Sequence, residues 1–245
     1  MESAPIIPWI DCPPSRGTRT LRRLRAALKA FHPILDEDLA DTLQDKSRAL
    51  FRILGEVRDA DVMALRFAEA QNAEATRDEA AHQRRRARKH LKRKKAEGFR
   101  TAVLRRLAGK GWRRGGKKAG ALREAPVAVQ AKAALNRAWA ACLGNGPDLR
   151  QMRARTQHEL RKDLKMLRYL TEFFEDLWPG AAQERFLATL RTLQDDLGEM
   201  TDTALARSLG HDDPSDLAPP QERAAQDWQA LQAQGPWWQP VPAVA

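Results

Sequence analysis

The sequence contains little cysteine and no long apolar run. Its two cysteines, Cys12 and Cys142, are too few for a disulfide framework among 245 residues and lack metal-ligand spacing, so both are expected to be reduced thiols. No segment approaches the ~18 consecutive apolar residues that span a bilayer. The N-terminal MESAPIIPWIDCPP also lacks the basic and long apolar regions of a secretory signal. These absences predict a cytoplasmic protein without a transmembrane segment.

Sequence motifs of catalysis and metal binding are lacking as well. The chain has no HExxH motif, no spaced set of Cys and His, and no GxSxG elbow. One hypothesis, prompted by the acids Asp59, Asp61 and Asp202, is an enzyme that processes polyphosphate or nucleotides. Phosphoryl transfer, however, needs Mg²⁺ held by carboxylates, and the sequence shows no dedicated carboxylate cluster. We therefore expect a protein that is not an enzyme, with no catalytic residues, no metal site and no cofactor.

Positive charge, by contrast, is abundant and uneven. The formal net charge is +11, and residues 84–123 contain eighteen Lys or Arg against a single acid, Glu97. That stretch therefore carries +17 and the rest of the chain carries −6. Such a concentration attracts phosphate-rich polymers or anionic surfaces.

Apolar residues recur at three- and four-residue spacing in DLADTLQDKSRALFRIL (38–54) and AQERFLATLRTLQDDL (182–197), which predicts an all-α protein. RRLRAALKAF (22–31) is similar to KMLRYLTEFF (165–174), and LGEVRDADV (54–62) to LGEMTDTAL (197–205), both at a displacement of 143 residues. This shared displacement indicates internal duplication. We expect one helical domain over 1–210, with pseudo-symmetric units over about 15–110 and about 125–210.

Each unit is predicted to contain a basic helix followed by an amphipathic helix that ends at a glycine. Gly55 and Gly198 are suited to the left-handed position after a helix, and Asp59 and Asp202 to the N-cap of the next one. Residues 211–245 are predicted to be a tail rich in Pro and Trp with one short helix.

A row of cations in the second unit is the main candidate site. His158, Arg161, Lys165 and Arg168 fall within about 80° of one helical face, in a row about 15 Å long. No acid lies on that arc between its ends, because Glu159 and Asp163 project elsewhere. Flanking or matching cations in the two units are Arg155, Lys162, Arg22, Arg25 and Arg19. A solvated charged face is the alternative interpretation.

Inorganic polyphosphate is the partner that this chemistry favours. Arg binds two phosphoryl oxygens through its planar fork, Lys adds a mobile charge, and His adds a donor. Residues 155–168 contain no aromatic side chain on which a nucleobase could stack. Nonspecific association with nucleic acid or the ribosome, through RRRARKHLKRKK (84–95), is the alternative function.

These motifs resemble a known family. HELRKDLKMLRYLTEFF (158–174) with LQDDLGEMTDTAL (193–205) is similar to the C-terminal half of a CHAD domain, the conserved-histidine α-helical domain. LRRLRAALKAF (21–31) with LGEVRDADV (54–62) is similar to its N-terminal half. The resemblance implies a compact bundle of two four-helix units around a basic groove that binds polyphosphate without catalysis. Polyphosphate granules are a further candidate partner. The residues it implies are His158, Arg161, Lys165, Arg168, Arg22, Arg25 and Arg58.

The first half departs from the family pattern. At the same displacement, Ser15 and Thr18 stand where the histidine and arginine of the second half would be, preceded by Pro13 and Pro14. The first helix is therefore predicted to be truncated or degenerate. A CYTH-type catalytic domain, the family's common partner, is not in the sequence, so the chain resembles a stand-alone member.

Overall fold

The computed structural model describes residues 14–69, 73–91, 95–208 and 218–239, and within these ranges it is entirely helical apart from turns and one isolated bridge. The α-helices are α1 Pro14–Phe31, α2 Glu37–Arg66, α3 Ala73–Leu91, α4 Lys95–Ala108, α5 Lys117–Glu124, α6 Val127–Leu143, α7 Ala154–Phe173, α8 Ala181–Ser208 and α9 Ala218–Gln234. The predicted all-α class is confirmed. No helix in the described ranges combines the length and the apolarity needed to cross a bilayer.

The chain divides into two compact units. The first comprises Met1–Leu28 and His32–Arg123, and the second comprises Lys29–Phe31 and Glu124–Ala245. Helices α2 to α5 thus belong to the first unit and α6 to α9 to the second, apart from Glu124 at the end of α5. The duplication of about 15–110 onto about 125–210 stays a prediction.

In the first unit, α2 begins at an N-cap and organises a small core. The Asp36 carboxylate accepts a hydrogen bond from the backbone N–H of Leu39 at 3.0 Å, which satisfies a free donor of the first helical turn. Leu39 and Leu43 then pack with Leu28 of α1, and Leu35, Val103 and Trp112 cover this cluster. Helix α3 lies along α2.

The predicted helix ends at Gly55 and Gly198 are wrong. Helix α2 continues through Gly55 to Arg66, and α8 continues through Gly198 to Ser208, so Asp59 and Asp202 are not N-caps. Neither glycine has a positive φ. A glycine inside a helix costs about 1 kcal/mol, which is less than the packing of buried residues on both sides contributes.

The core of the second unit is larger and richer in aromatic rings. Trp139 lies 5.9 Å, centroid to centroid, from both Phe186 and Trp228, in edge-to-face geometry. The indole N–H of Trp228 donates to the Gly146 carbonyl at 3.1 Å, and that of Trp238 donates to the Asn136 side chain at 2.7 Å. Both of these tryptophans are fully buried. The predicted tail with one short helix is therefore, in its described part 218–239, an element of this core.

Cys142 belongs to the same core. It is a free cysteine with a fully buried side chain, as expected for a reduced thiol. Burial raises the pKa of its thiol, so Cys142 acts as an apolar packing residue. Cys12 lies outside the described residues.

Candidate functional site

Helix α7 carries the predicted row of cations and buries its other side. Leu160, Leu164 and Leu167 are completely buried. Because successive residues turn by about 100°, these leucines and the cations His158, Arg161, Lys165 and Arg168 occupy different faces. His158 is exposed, and the other three cations are partly buried. We call these four residues the α7 stripe.

Helix α8 supports the stripe from one side. The buried Gln194 side chain donates to the Leu164 carbonyl at 2.8 Å and so holds α8 against α7. A Cβ built on Gly198 would lie 3.6 Å from Nη2 of Arg161. The Arg161 guanidinium therefore lies beside Gly198. The sequence pattern predicts a helix end at this glycine, but Gly198 lies inside α8, next to Arg161.

Two acids partly neutralise the cations of α7. Lys162, which flanks the stripe, lies 2.7 Å from a Glu159 oxygen, and the hydrogen bond it donates, together with neighbouring positive charges, lowers the pKa of Glu159. Arg168 Nε lies 3.8 Å from Glu172, which is one turn further along the same face. The predicted arc between His158 and Arg168 thus has an acid, Glu172, just beyond its end at Arg168.

Arg168 is also positioned by an aromatic ring. Its guanidinium carbon lies 5.2 Å from the centroid of the Tyr169 ring, and its Nη2 donates to the Tyr169 hydroxyl at 3.3 Å. Tyr169 is itself buried. Held in this way, Arg168 loses little side-chain entropy when it binds an anion.

In the first unit, Arg22 and Arg25 of α1 lie against Phe51 of α2. Their guanidinium carbons are 5.1 Å and 5.7 Å from the ring centroid, within the range of cation–π attraction. Burial and the positive charges of Arg48 and Arg22 lower the pKa of Arg25. We call Arg22, Arg25 and Arg48 the arginine cluster.

Arg48 is a candidate that sequence reasoning missed. It lies on α2 and forms an exposed ion pair of 3.3 Å with Asp45. Its relation to Arg25 depends on the packing of α2 beside α1, which no local pattern reveals. The available signal is its position one helical turn before Phe51, the residue that supports Arg22 and Arg25.

The remaining predicted cations are not brought into either group. Arg155 is exposed in the first turn of α7, and Arg58 is exposed on α2. Arg19 falls within α1, but its side chain lies outside the described residues, as do those of Ser15 and Thr18.

The acids of the alternative enzyme hypothesis do not form a described metal site. Asp61 lies 2.6 Å from Arg84 of α3, so its carboxylate already has a cationic partner. In the part of the chain that the structure describes, no group of three or more His, Cys, Asp or Glu is arranged to hold a metal ion.

Comparison with known proteins points to one family. The CHAD domain family model matches residues 19–211. The crystal structure of the CHAD domain from the plant Ricinus communis is similar with a TM-score of 0.63 and 21% sequence identity, covering 90% of this chain and 80% of that chain. No curated protein matches the chain. At this identity the structural likeness establishes the fold alone.

Proposed function

The chain belongs to the CHAD domain family, and from this we propose that it binds inorganic polyphosphate, mainly through the α7 stripe, and catalyses no reaction on it. CHAD domains are linked in general to polyphosphate binding, and they are binding domains rather than catalysts. The observation that carries the proposal is the row of cations, three of them partly buried, on a helix whose leucines Leu160, Leu164 and Leu167 are completely buried.

The geometry of the stripe suits a linear polymer of phosphate. Its cations span about 15 Å at the 1.5 Å rise of an α-helix, so adjacent phosphoryl groups can each meet a donor. Partial burial lowers the local dielectric around Arg161, Lys165 and Arg168, which strengthens their attraction for an anion. Because the Tyr169 ring and hydroxyl hold the Arg168 guanidinium, binding at this end of the stripe requires little rearrangement.

We further propose that the arginine cluster contributes a second set of contacts. Burial lowers the pKa of Arg25, and the like charges of Arg48 and Arg22 lower it further. A phosphate group among Arg22, Arg25 and Arg48 would offset that repulsion, and the planar guanidinium groups can bind it through paired hydrogen bonds.

Nucleic acid fits the stripe less well. Base recognition in single strands uses accessible aromatic rings, and Tyr169, the aromatic residue beside the stripe, is 3% exposed with Arg168 over its ring. The four residues of the stripe therefore offer charged donors to phosphate but no Phe, Tyr or Trp ring to a base.

The test is a triple substitution, His158→Ala, Lys165→Ala and Arg168→Ala, with affinity for long-chain polyphosphate measured by calorimetric titration. We expect the Kd to rise at least about 100-fold, because two or more charge-assisted hydrogen bonds of about 1.5–3 kcal/mol each are lost. Circular dichroism should show unchanged helicity, since none of the three side chains belongs to the buried core. Unchanged affinity would refute the proposal.

A control variant separates specific contacts from net charge. Arg137→Ala with Arg185→Ala removes two exposed arginines of α6 and α8 that belong to neither cation group. This variant should keep the wild-type Kd. Competition then tests the polymer: displacement of polyphosphate by duplex DNA or RNA at equal phosphate concentration would make nucleic acid the ligand.

A further inference from the structure

Helix α3 contains a dense cluster of cations, and packing against α2 divides them into two sets. The face that meets α2 carries Thr76, Ala80 and Ala87, all buried. Small side chains on this face allow the two helices to approach closely. The charged residues of RRRARK (84–89) consequently lie on the flanks and the outer face of α3.

The flanking cations are used within the fold. Arg84 Nη2 lies 2.6 Å from Asp61, and Arg86 Nη1 lies 3.8 Å from Glu56, both acids of α2. These arginines are about 100° to either side of Arg85, so each reaches across one edge of the helix pair. Their charges are consequently matched by carboxylates and serve to hold α3 against α2.

The outer cations have no such partners. Arg85, Arg88 and Lys89 are exposed and, together with exposed His82, occupy an arc of about 120° opposite the buried face. None of the described residues forms an ion pair or a hydrogen bond with the side chains of Arg85, Arg88 or Lys89. We call these four residues the α3 row, which is about 10 Å long.

We propose that the α3 row is a second polyphosphate-binding surface, separate from the α7 stripe and from the arginine cluster. The identity of the polymer rests on the function proposed above. A single narrow row of unmatched cations is suited to a linear phosphate chain, and each cation gains an anionic partner that the fold does not provide.

Two features favour polyphosphate over nucleic acid on this surface. The two backbones that border the major groove of a duplex lie about 12 Å apart, so a helix in that groove needs cations on both flanks to reach them. On α3 the flanking cations are Arg84 and Arg86, and both are held by acids of α2. Helix α3 contains no Phe, Tyr or Trp, so it lacks the large rings on which single-strand binders usually stack bases.

The consequence is that one protein molecule binds short polyphosphate chains at independent places. A short chain occupies the α3 row and another occupies the α7 stripe, because the rows belong to different compact units.

The experiment counts binding equivalents. Calorimetric titration with a short polyphosphate should give one equivalent fewer in Arg85→Gln with Arg88→Gln than in the wild type, with unchanged affinity for the remaining chains. The control, Arg137→Gln with Arg185→Gln, removes the same charge from exposed positions of α6 and α8 and should lose no equivalent. Helicity and the unfolding midpoint should not change, since Arg85 and Arg88 face solvent.

An equal number of equivalents in the α3 variant and the wild type would overturn the inference. So would displacement of polyphosphate from the α3 row by duplex DNA at equal phosphate concentration, measured in the triple α7 variant. A different result would contradict the function proposed for the α7 stripe. In that case the triple α7 variant, which retains Arg85 and Arg88, would bind polyphosphate as the wild type does.

Discussion

The two units support their cations on cores of different kinds. All of the largest fully buried side chains in the described residues, such as Trp228, Phe186 and Leu164, belong to the second unit. In the first unit the arginine cluster rests on Phe51, a partly buried ring, near a small core of leucines. A dense core fixes the side chains attached to it, so the α7 stripe is preorganised to a degree that the arginine cluster is not.

The charges that surround the cations also differ between the two units. Acids lie beside the cations of α7, where Glu172 is near Arg168 and Glu159 binds Lys162. In the first unit, burial and the positive charges of Arg48 and Arg22 lower the pKa of Arg25, and an acid, Asp45, pairs with Arg48 of the cluster. A rigid row of cations can attract phosphate through preorganisation, whereas a cluster of neighbouring arginines can do so because an anion offsets the repulsion that acts on Arg25.

The largest expected effect tests the difference between the cores. Trp228→Ala should lower the free energy of unfolding by about 3–5 kcal/mol, because it leaves a cavity beside Trp139 and removes the hydrogen bond to Gly146. Denaturant unfolding followed by circular dichroism measures this loss. Trp178→Ala, which truncates a partly buried tryptophan of the same unit, should cost less. Equal losses would contradict the assignment of Trp228 to the centre of the core.

An intermediate effect tests the support of the α7 stripe. Gly198→Leu should weaken polyphosphate binding about 10-fold, equivalent to 1.4 kcal/mol, because a leucine side chain displaces the Arg161 guanidinium that lies beside this position. Gly198→Ala should bind normally, since its Cβ would lie 3.6 Å from Arg161, an ordinary contact. Titration of each variant with long-chain polyphosphate measures the effect.

Gly55 provides the matched position in the first unit. No described atom lies within 4 Å of a Cβ built on Gly55. Gly55→Leu should therefore leave polyphosphate affinity unchanged. If Gly55→Leu weakened binding as much as Gly198→Leu, the proposed difference between the units would be wrong.

The smallest expected effect concerns the arginine cluster. Arg48→Gln should weaken polyphosphate binding about 3- to 5-fold, because one of three cations is lost. Without ligand, the variant should be as stable as the wild type or more stable by a few tenths of a kcal/mol, since a like charge near Arg25 is removed. Thermal unfolding with and without polyphosphate measures both quantities. A clear loss of stability without ligand would show that Arg48 is structural.

Much of the helical organisation could be predicted from sequence. The periodicity of 158–168 places His158, Arg161 and Arg168 on one face of a helix, and α7 spans Ala154–Phe173. The same reasoning failed at Gly55 and Gly198, because glycine signals a helix end only where packing on both sides does not continue the helix. Nor could it find Arg48, whose neighbours come from another helix.

By itself, the sequence determined that the protein is helical, that its charge is concentrated in one stretch, and that α7 presents a row of cations, since each of these follows from residue type and from spacing within one helix. Tertiary structure alone decided which cations are matched. It pairs Arg84 with Asp61, leaves Arg85 exposed, and brings Arg161 over Gly198. The reason is physical: an ion pair or a close contact between helices depends on distances of a few ångströms between residues that are far apart in the chain.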